Sequence, residues 1–159
     1  PKGHYAMIGL GTGSVSCYAR PGQKLTFYEI DPTVIALVNE PRPVPDAERT
    51  KEGKPLVMGP FTFVDDARKR GADVEFVVGD ARLKLEEHAD RKYDLLLVDA
   101  FSSDSIPVHL LTKQAMQLYK DRMTDDGLLA VHISNRYIAL EPVVAVLAKE
   151  VGLAARLWS

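Results

Sequence analysis

Cysteine is almost absent: Cys17 stands alone in 159 residues. That excludes an internal disulfide and a zinc centre built on thiolates, and it suits a reducing, cytoplasmic compartment. The four histidines never show H-x-x-x-H spacing, so no metal is expected. No apolar run reaches the ~18–20 residues of a membrane span, and no signal peptide opens the chain. A dense Lys/Arg stripe is missing and the net charge is only -2, which gives no reason to expect nucleic acid as a partner. The G-x-S-x-G elbow of many hydrolases is missing as well. Cys17 falls in a short predicted helix and reads as a small buried hydrophobe rather than a reactive thiol.

What remains is an ordinary globular mixture, 46% hydrophobic and 26% charged, of a length that favours one domain over 1–159. Strand-like and helix-like patterns alternate. Strands are predicted over 5–8, 25–30, 74–78, 93–98, 128–133 and 154–158. Helices are predicted over 14–19, 32–38, 61–70, 81–88, 112–122 and 141–151, with a turn at Asp126-Gly127. The 93–98 run is apolar nearly throughout, as suits a strand covered on both faces. Residues 41–60 break the alternation with Pro41, Pro43, Pro45, Pro55 and Pro60, and read as a loop insertion. The expectation is an α/β fold, a doubly wound and mostly parallel Rossmann-like sheet. The chain opens without Met and closes inside a strand-like run. A domain truncated at both ends is therefore expected, flanked in the full-length protein by further domains or membrane segments.

In such a sheet ligands bind beyond the carboxyl ends of the strands. The first strand runs into Gly9-Leu10-Gly11-Thr12-Gly13, and Glu29 closes the second strand. Glycines let the backbone approach a ligand, and a carboxylate accepts hydrogen bonds from two ribose hydroxyls. Ser14 breaks the dinucleotide spacing G-x-G-x-x-G, which turns the expectation from NAD toward S-adenosylmethionine or a relative. The nucleoside candidates are thus Gly9, Gly11, Thr12, Gly13 and Glu29, with Asp31 read as the cap of the next helix.

The third and fourth strands also end in acids. In Gly79-Asp80-Ala81 a carboxylate and a nearby backbone N–H suit an adenine edge; helix capping by Asp80 is the structural alternative. Asp99 opens the segment Asp99-Ala-Phe-Ser-Ser-Asp-Ser-Ile-Pro-Val-His-Leu-Leu-Thr. Alkyl amines have pKa values near ~10, so exposing the lone pair at neutral pH costs roughly 4–5 kcal/mol. Asp99 is the candidate general base for that step, and Asp104 the candidate holder of a second positive charge. Turn chemistry is the alternative for both. His109 is a weaker candidate for the cleft wall, His132 reads as packed in mid-strand, and Ser134-Asn135 ends the fifth strand.

In this order, the motifs resemble the class I S-adenosylmethionine-dependent methyltransferase fold. More narrowly, they resemble the spermidine synthase (polyamine aminopropyltransferase) family over roughly 5–153, the Asp99 segment being the most specific part. The resemblance implies Glu29 on ribose, Asp80 on adenine, and Asp99 as the base that readies an amine for attack on decarboxylated S-adenosylmethionine. It also implies a small-molecule amine partner and allows a homodimer. Thr12 stands where that family carries an Asp that holds the donor's terminal amine. The family's closely spaced acid pair is here stretched to Asp99 and Asp104, and its N-terminal β-hairpin domain is not in this sequence. Three readings stay open: aminopropyl transfer to a polyamine, methyl transfer from S-adenosylmethionine, and a catalytically silent nucleoside-binding domain of a larger protein.

Overall fold

The computed structural model describes residues 3–39, 61–100, 107–134 and 139–158. Among them five strands form one parallel sheet: β1 (His4–Ile8), β2 (Lys24–Glu29), β3 (Asp73–Val78), β4 (Tyr93–Val98) and β5 (Met123–Val131). The spatial order is β3-β2-β1-β4-β5. The chain winds outward from β1 through β2 to β3, then returns to β1's other side and winds outward again. The reversal lies between β1 and β4, where a ligand crevice is expected in this architecture.

Helices cover both faces because the strands are apolar on both. On one face α3 (Ala81–Glu87), α4 (Lys113–Arg122) and α5 (Glu141–Glu150) pack Leu85, Met116, Tyr119 and Leu147 against the cluster of Ile8, Leu96 and Val98. On the other, α1 (Pro32–Asn39) and α2 (Phe63–Lys69) pack Val38, Val64 and Ala67 against Met7, Leu25 and Phe27. Pro32 opens α1, where the missing N–H has no intrahelical partner to lose. Thr112 caps α4 by accepting from the Ala115 N–H at 3.1 Å.

Four expectations need correction. Residues 14–18 form a five-residue 3-10 turn that buries Ser16 and leaves Cys17 exposed, so Cys17 is no core residue. Asp126-Gly127 does not separate two elements; it lies inside β5. There β4 advances two residues, from Tyr93 to Leu95, while β5 advances five, from Met123 to Leu128, so the extra residues bulge out of the ladder. Residues 154–158 form no strand and are exposed. Among the described residues they pair with neither edge strand of the sheet, β3 or β5, and an unpaired strand leaves its backbone to water. β5 ends at Val131, two residues short of expectation, which moves His132 out of the strand. The Pro-rich stretch 41–60 lies outside the described residues.

Leu96 sits fully buried in β4, with β1 and β5 paired on either side. Leu96→Ala is expected to cost about 2–5 kcal/mol of unfolding free energy in a urea titration, the usual range for truncating a core leucine. A loss below ~1 kcal/mol is the outcome that contradicts this placement of the core.

Candidate functional site

The parallel ladder runs one residue past each strand. Gly9 N–H donates to the Tyr28 carbonyl, Gly79 N–H to Glu29, Asp99 N–H to Ile8 and His132 N–H to Val98, each at 2.9 Å. The positions that follow β1, β3, β4 and β5 are thereby tied to the neighbouring strand. One cleft of about 480 Å³ opens over this edge, within the usual range for a small-molecule site. Glu29, Asp31, Asp80, Asp99 and His109 supply its polar side chains; Ile8, Tyr28, Val34 and Leu110 supply much of its apolar wall.

The glycine turn is shaped by two close approaches. A Cβ on Gly9, at φ 96°, would sit 2.3 Å from the Asp99 carbonyl oxygen, so only glycine lets β1 and β4 end side by side. A Cβ on Gly13, at φ 74°, would sit 2.9 Å from Val64 Cγ2, because the turn rests on α1 and α2. Gly11 differs: a Cβ there would meet no described heavy atom within 4 Å. Gly11 lines the cleft, while Thr12 is exposed at the tip of the turn.

Glu29 is held by the backbone it serves. Oε2 accepts from the Leu10 N–H at 2.9 Å and Oε1 from the Asp31 N–H at 3.0 Å. The carboxylate therefore braces the glycine turn and faces the cleft at a fixed angle, with lone pairs to spare for hydroxyl donors. Asp31 accepts from the Thr33 N–H at 2.8 Å, the capping role expected for it.

Asp80 carries two protein contacts. Oδ1 accepts from the Leu83 N–H at 3.1 Å, capping α3, and Oδ2 lies 2.9 Å from His109 Nε2. Ala81, the first residue of α3, is buried against the cleft. His109 was the weaker expectation, yet the 3-10 turn Val108–Leu110 brings it onto Asp80 across the cleft mouth.

Asp99 Oδ1 accepts from His132 Nδ1 at 2.6 Å. His132 is exposed rather than packed: it is the first residue beyond β5, as Asp99 is beyond β4, and the Val98–Val131 pairing sets them side by side. Residues 128–133 are strand-like throughout, so the sequence alone does not mark where β5 ends. Tyr28 does no acid–base work at neutral pH. Burial and the 2.5 Å hydrogen bond it shares with the Tyr93 hydroxyl push its phenol well above the ordinary range. Asp104, Asn135 and the stretch 101–106 lie outside the described residues; Ser134 is exposed. Among the described residues no group of His, Cys, Asp and Glu is arranged to hold a metal ion.

No protein-family model matches the chain. It is 30% identical over 129 residues to the polyamine aminopropyltransferase of Vibrio vulnificus (strain CMCP6). That match covers 79% of this chain and 36% of the relative, so the chain spans little more than a third of that protein's length. Human methyltransferase-like protein 13, solved in complex with SAH, superposes with a TM-score of 0.65 at 15% identity, over 94% of this chain and 63% of that one. MNMC2 from Aquifex aeolicus superposes with a TM-score of 0.55 at 19% identity, over 91% of this chain and 46% of that one. At these identities the likeness is one of fold: the parallel sheet flanked by helices is Rossmann-like, of the class I methyltransferase type.

The two glycines of the turn should respond differently to a methyl group. Gly9→Ala meets the Asp99 carbonyl and an unfavourable φ, and is expected to cost at least ~2 kcal/mol in urea unfolding. Gly11→Ala meets only its φ of 52° and should cost about 1 kcal/mol. Equal losses, or the reverse order, would overturn the close-approach account.

Proposed function

We propose that this chain is the nucleoside-donor half of a spermidine synthase-like transferase, which passes an aminopropyl group from decarboxylated S-adenosylmethionine to a small polyamine in the cytoplasm. The carrying observation is the convergence of the glycine turn, Glu29, Asp80 and Asp99 on one cleft at the reversal of strand order. The aminopropyltransferase relative supports the reaction class. The residues suit the group: Gly9 and Gly11 give close backbone approach, Glu29 offers a braced carboxylate to ribose hydroxyls, and Asp80 with Ala81 lines the wall for the base.

The bound donor supplies a sulfonium-activated carbon and a neutral thioether as leaving group. The protein's own work is positioning and proton handling. Asp99 accepts a proton from the acceptor ammonium, which exposes the nitrogen lone pair. Tyr28, buried and protonated, holds the apolar floor.

One observation favours methyl transfer from S-adenosylmethionine itself. Thr12 puts an uncharged, exposed hydroxyl at the turn, where the polyamine enzymes carry a carboxylate for the donor's amine. The structure with SAH bound is of the same fold. Calorimetry with both donors separates the two. The aminopropyl reading expects the decarboxylated donor to bind more tightly; binding of the carboxylated donor alone refutes it.

Glu29→Ala is expected to weaken nucleoside affinity by about 1–3 kcal/mol, since it removes the ribose acceptor and frees the Leu10 and Asp31 N–H groups together. Unchanged affinity would remove Glu29 from the site. Asp99→Asn should leave donor affinity within about twofold and cut turnover of the full-length protein by ~10²-fold or more, the usual contribution of a general base. Undiminished turnover would mean that another group accepts the proton.

A further inference from the structure

We infer that His132 is a positioning residue for the Asp99 base. This rests on the reading of Asp99 just given. The two side chains meet at 2.6 Å, and an ionised carboxylate only accepts, so His132 donates from Nδ1. Both backbones are fixed independently, Asp99 N–H on the Ile8 carbonyl and His132 N–H on the Val98 carbonyl, each at 2.9 Å. The Gly9 contact closes the third side of Asp99. The pair is therefore set by sheet register rather than by a flexible side-chain encounter.

Stability gives no reason for the pairing. Asp99 and His132 are 46% and 47% exposed, and ion pairs so open to water contribute little to folding. A role at the cleft does give one. Asp99 is part of the cleft wall, and His132 is not among the described residues that form it. The imidazole thus engages one carboxylate oxygen from outside the cleft and leaves the second to the substrate amine. A carboxylate on a short side chain has a free torsion about its terminal bond; a charge-assisted hydrogen bond to one oxygen removes that freedom.

The step balances as follows. The acceptor ammonium gives one proton to Asp99 and becomes an amine. Its nitrogen lone pair forms the new N–C bond, the C–S bonding pair remains on sulfur, and the product nitrogen keeps its remaining protons as a secondary ammonium. The proton on Asp99 then passes to solvent. His132 Nδ1–H keeps its place on Oδ1 throughout and orients the acceptor oxygen.

The test compares His132→Leu, His132→Asn and Asp99→Asn in the full-length protein with a polyamine and the decarboxylated donor. Leucine fills the space without donating. Asparagine places an amide N–H where Nδ1 stands. His132→Leu should lower kcat about tenfold or more, a share of the ~10²–10⁴ of general-base catalysis, with donor affinity within twofold. His132→Asn should recover most of that loss. Equal kcat in His132→Leu and the wild type, or failure of asparagine to rescue, overturns the inference. Imidazole ¹⁵N resonances give a readout apart from turnover: the Nδ1–H tautomer should dominate in the wild type and lose its preference in Asp99→Asn. A wild type without that tautomer overturns the pairing directly. If Asp99→Asn retains full turnover while the tautomer is present, the reading of the reaction fails and the pairing stands.

Discussion

Four backbone hydrogen bonds at the carboxyl end of the sheet organise this molecule's chemistry. Each extends the parallel ladder by one residue, from Gly9 to Tyr28, Gly79 to Glu29, Asp99 to Ile8 and His132 to Val98. A strand interior is rigid because its neighbours bond it on both sides, and a loop is free because they do not. The residue just past the strand lies between these conditions: its backbone is pinned while its side chain leaves the packed interior. Functional groups placed there inherit the precision of the sheet. The cleft is accordingly built mostly from strand ends and the turns next to them, with Val34 of α1 and the segment of His109 added to them.

Packing on the two faces makes this edge possible. The core of α3, α4 and α5 holds one face and that of α1 and α2 the other, and the faces share β1, β2 and β4. Gly13 is the join. Its close approach to Val64 and Val38 lets the turn settle onto the second core, while Gly9 lets β1 and β4 end against each other. A side chain at either point would push the turn away from Glu29, whose carboxylate accepts from Leu10 within that same turn. Fold and site are coupled through these few ångströms.

Much of this was legible in the residues. Periodicity gave the five strands of the sheet, with 93–98 matched at both ends, because both faces of each strand must be apolar. The glycine turn and Glu29 were legible because few backbones need three glycines in five positions. Side-chain partners were not. At Asp80 the sequence allows helix capping or ligand binding, and the structure shows the cap together with a bond to His109. His132 was misplaced because residues 128–133 look uniformly strand-like, while the bulge that sets the register of β5 is a tertiary fact. The apolar pattern of 154–158 showed strand preference without a strand partner, and β propensity expresses packing against neighbours more than any intrinsic preference. The exposure of Cys17 has a related reason: a single 3-10 turn offers too little inward surface to bury both Ser16 and Cys17.

The acids of the cleft share one design. Glu29 gives one lone pair on each oxygen to backbone N–H groups; Asp80 gives one to the α3 cap and one to His109; Asp99 gives one to His132. A carboxylate has about four acceptor sites, so these contacts leave capacity facing the cleft. What they remove is torsional freedom. A ligand that meets an already oriented carboxylate avoids the cost of ordering it, roughly 0.5–1.5 kcal/mol for an immobilised side chain. A structural role at these positions is thus no rival to the proposed ligand-binding one. The cap on α3 and the brace on the glycine turn are the means by which a flexible acid becomes a fixed acceptor, and the His132 bond does the same for Asp99, the acid proposed to take a proton.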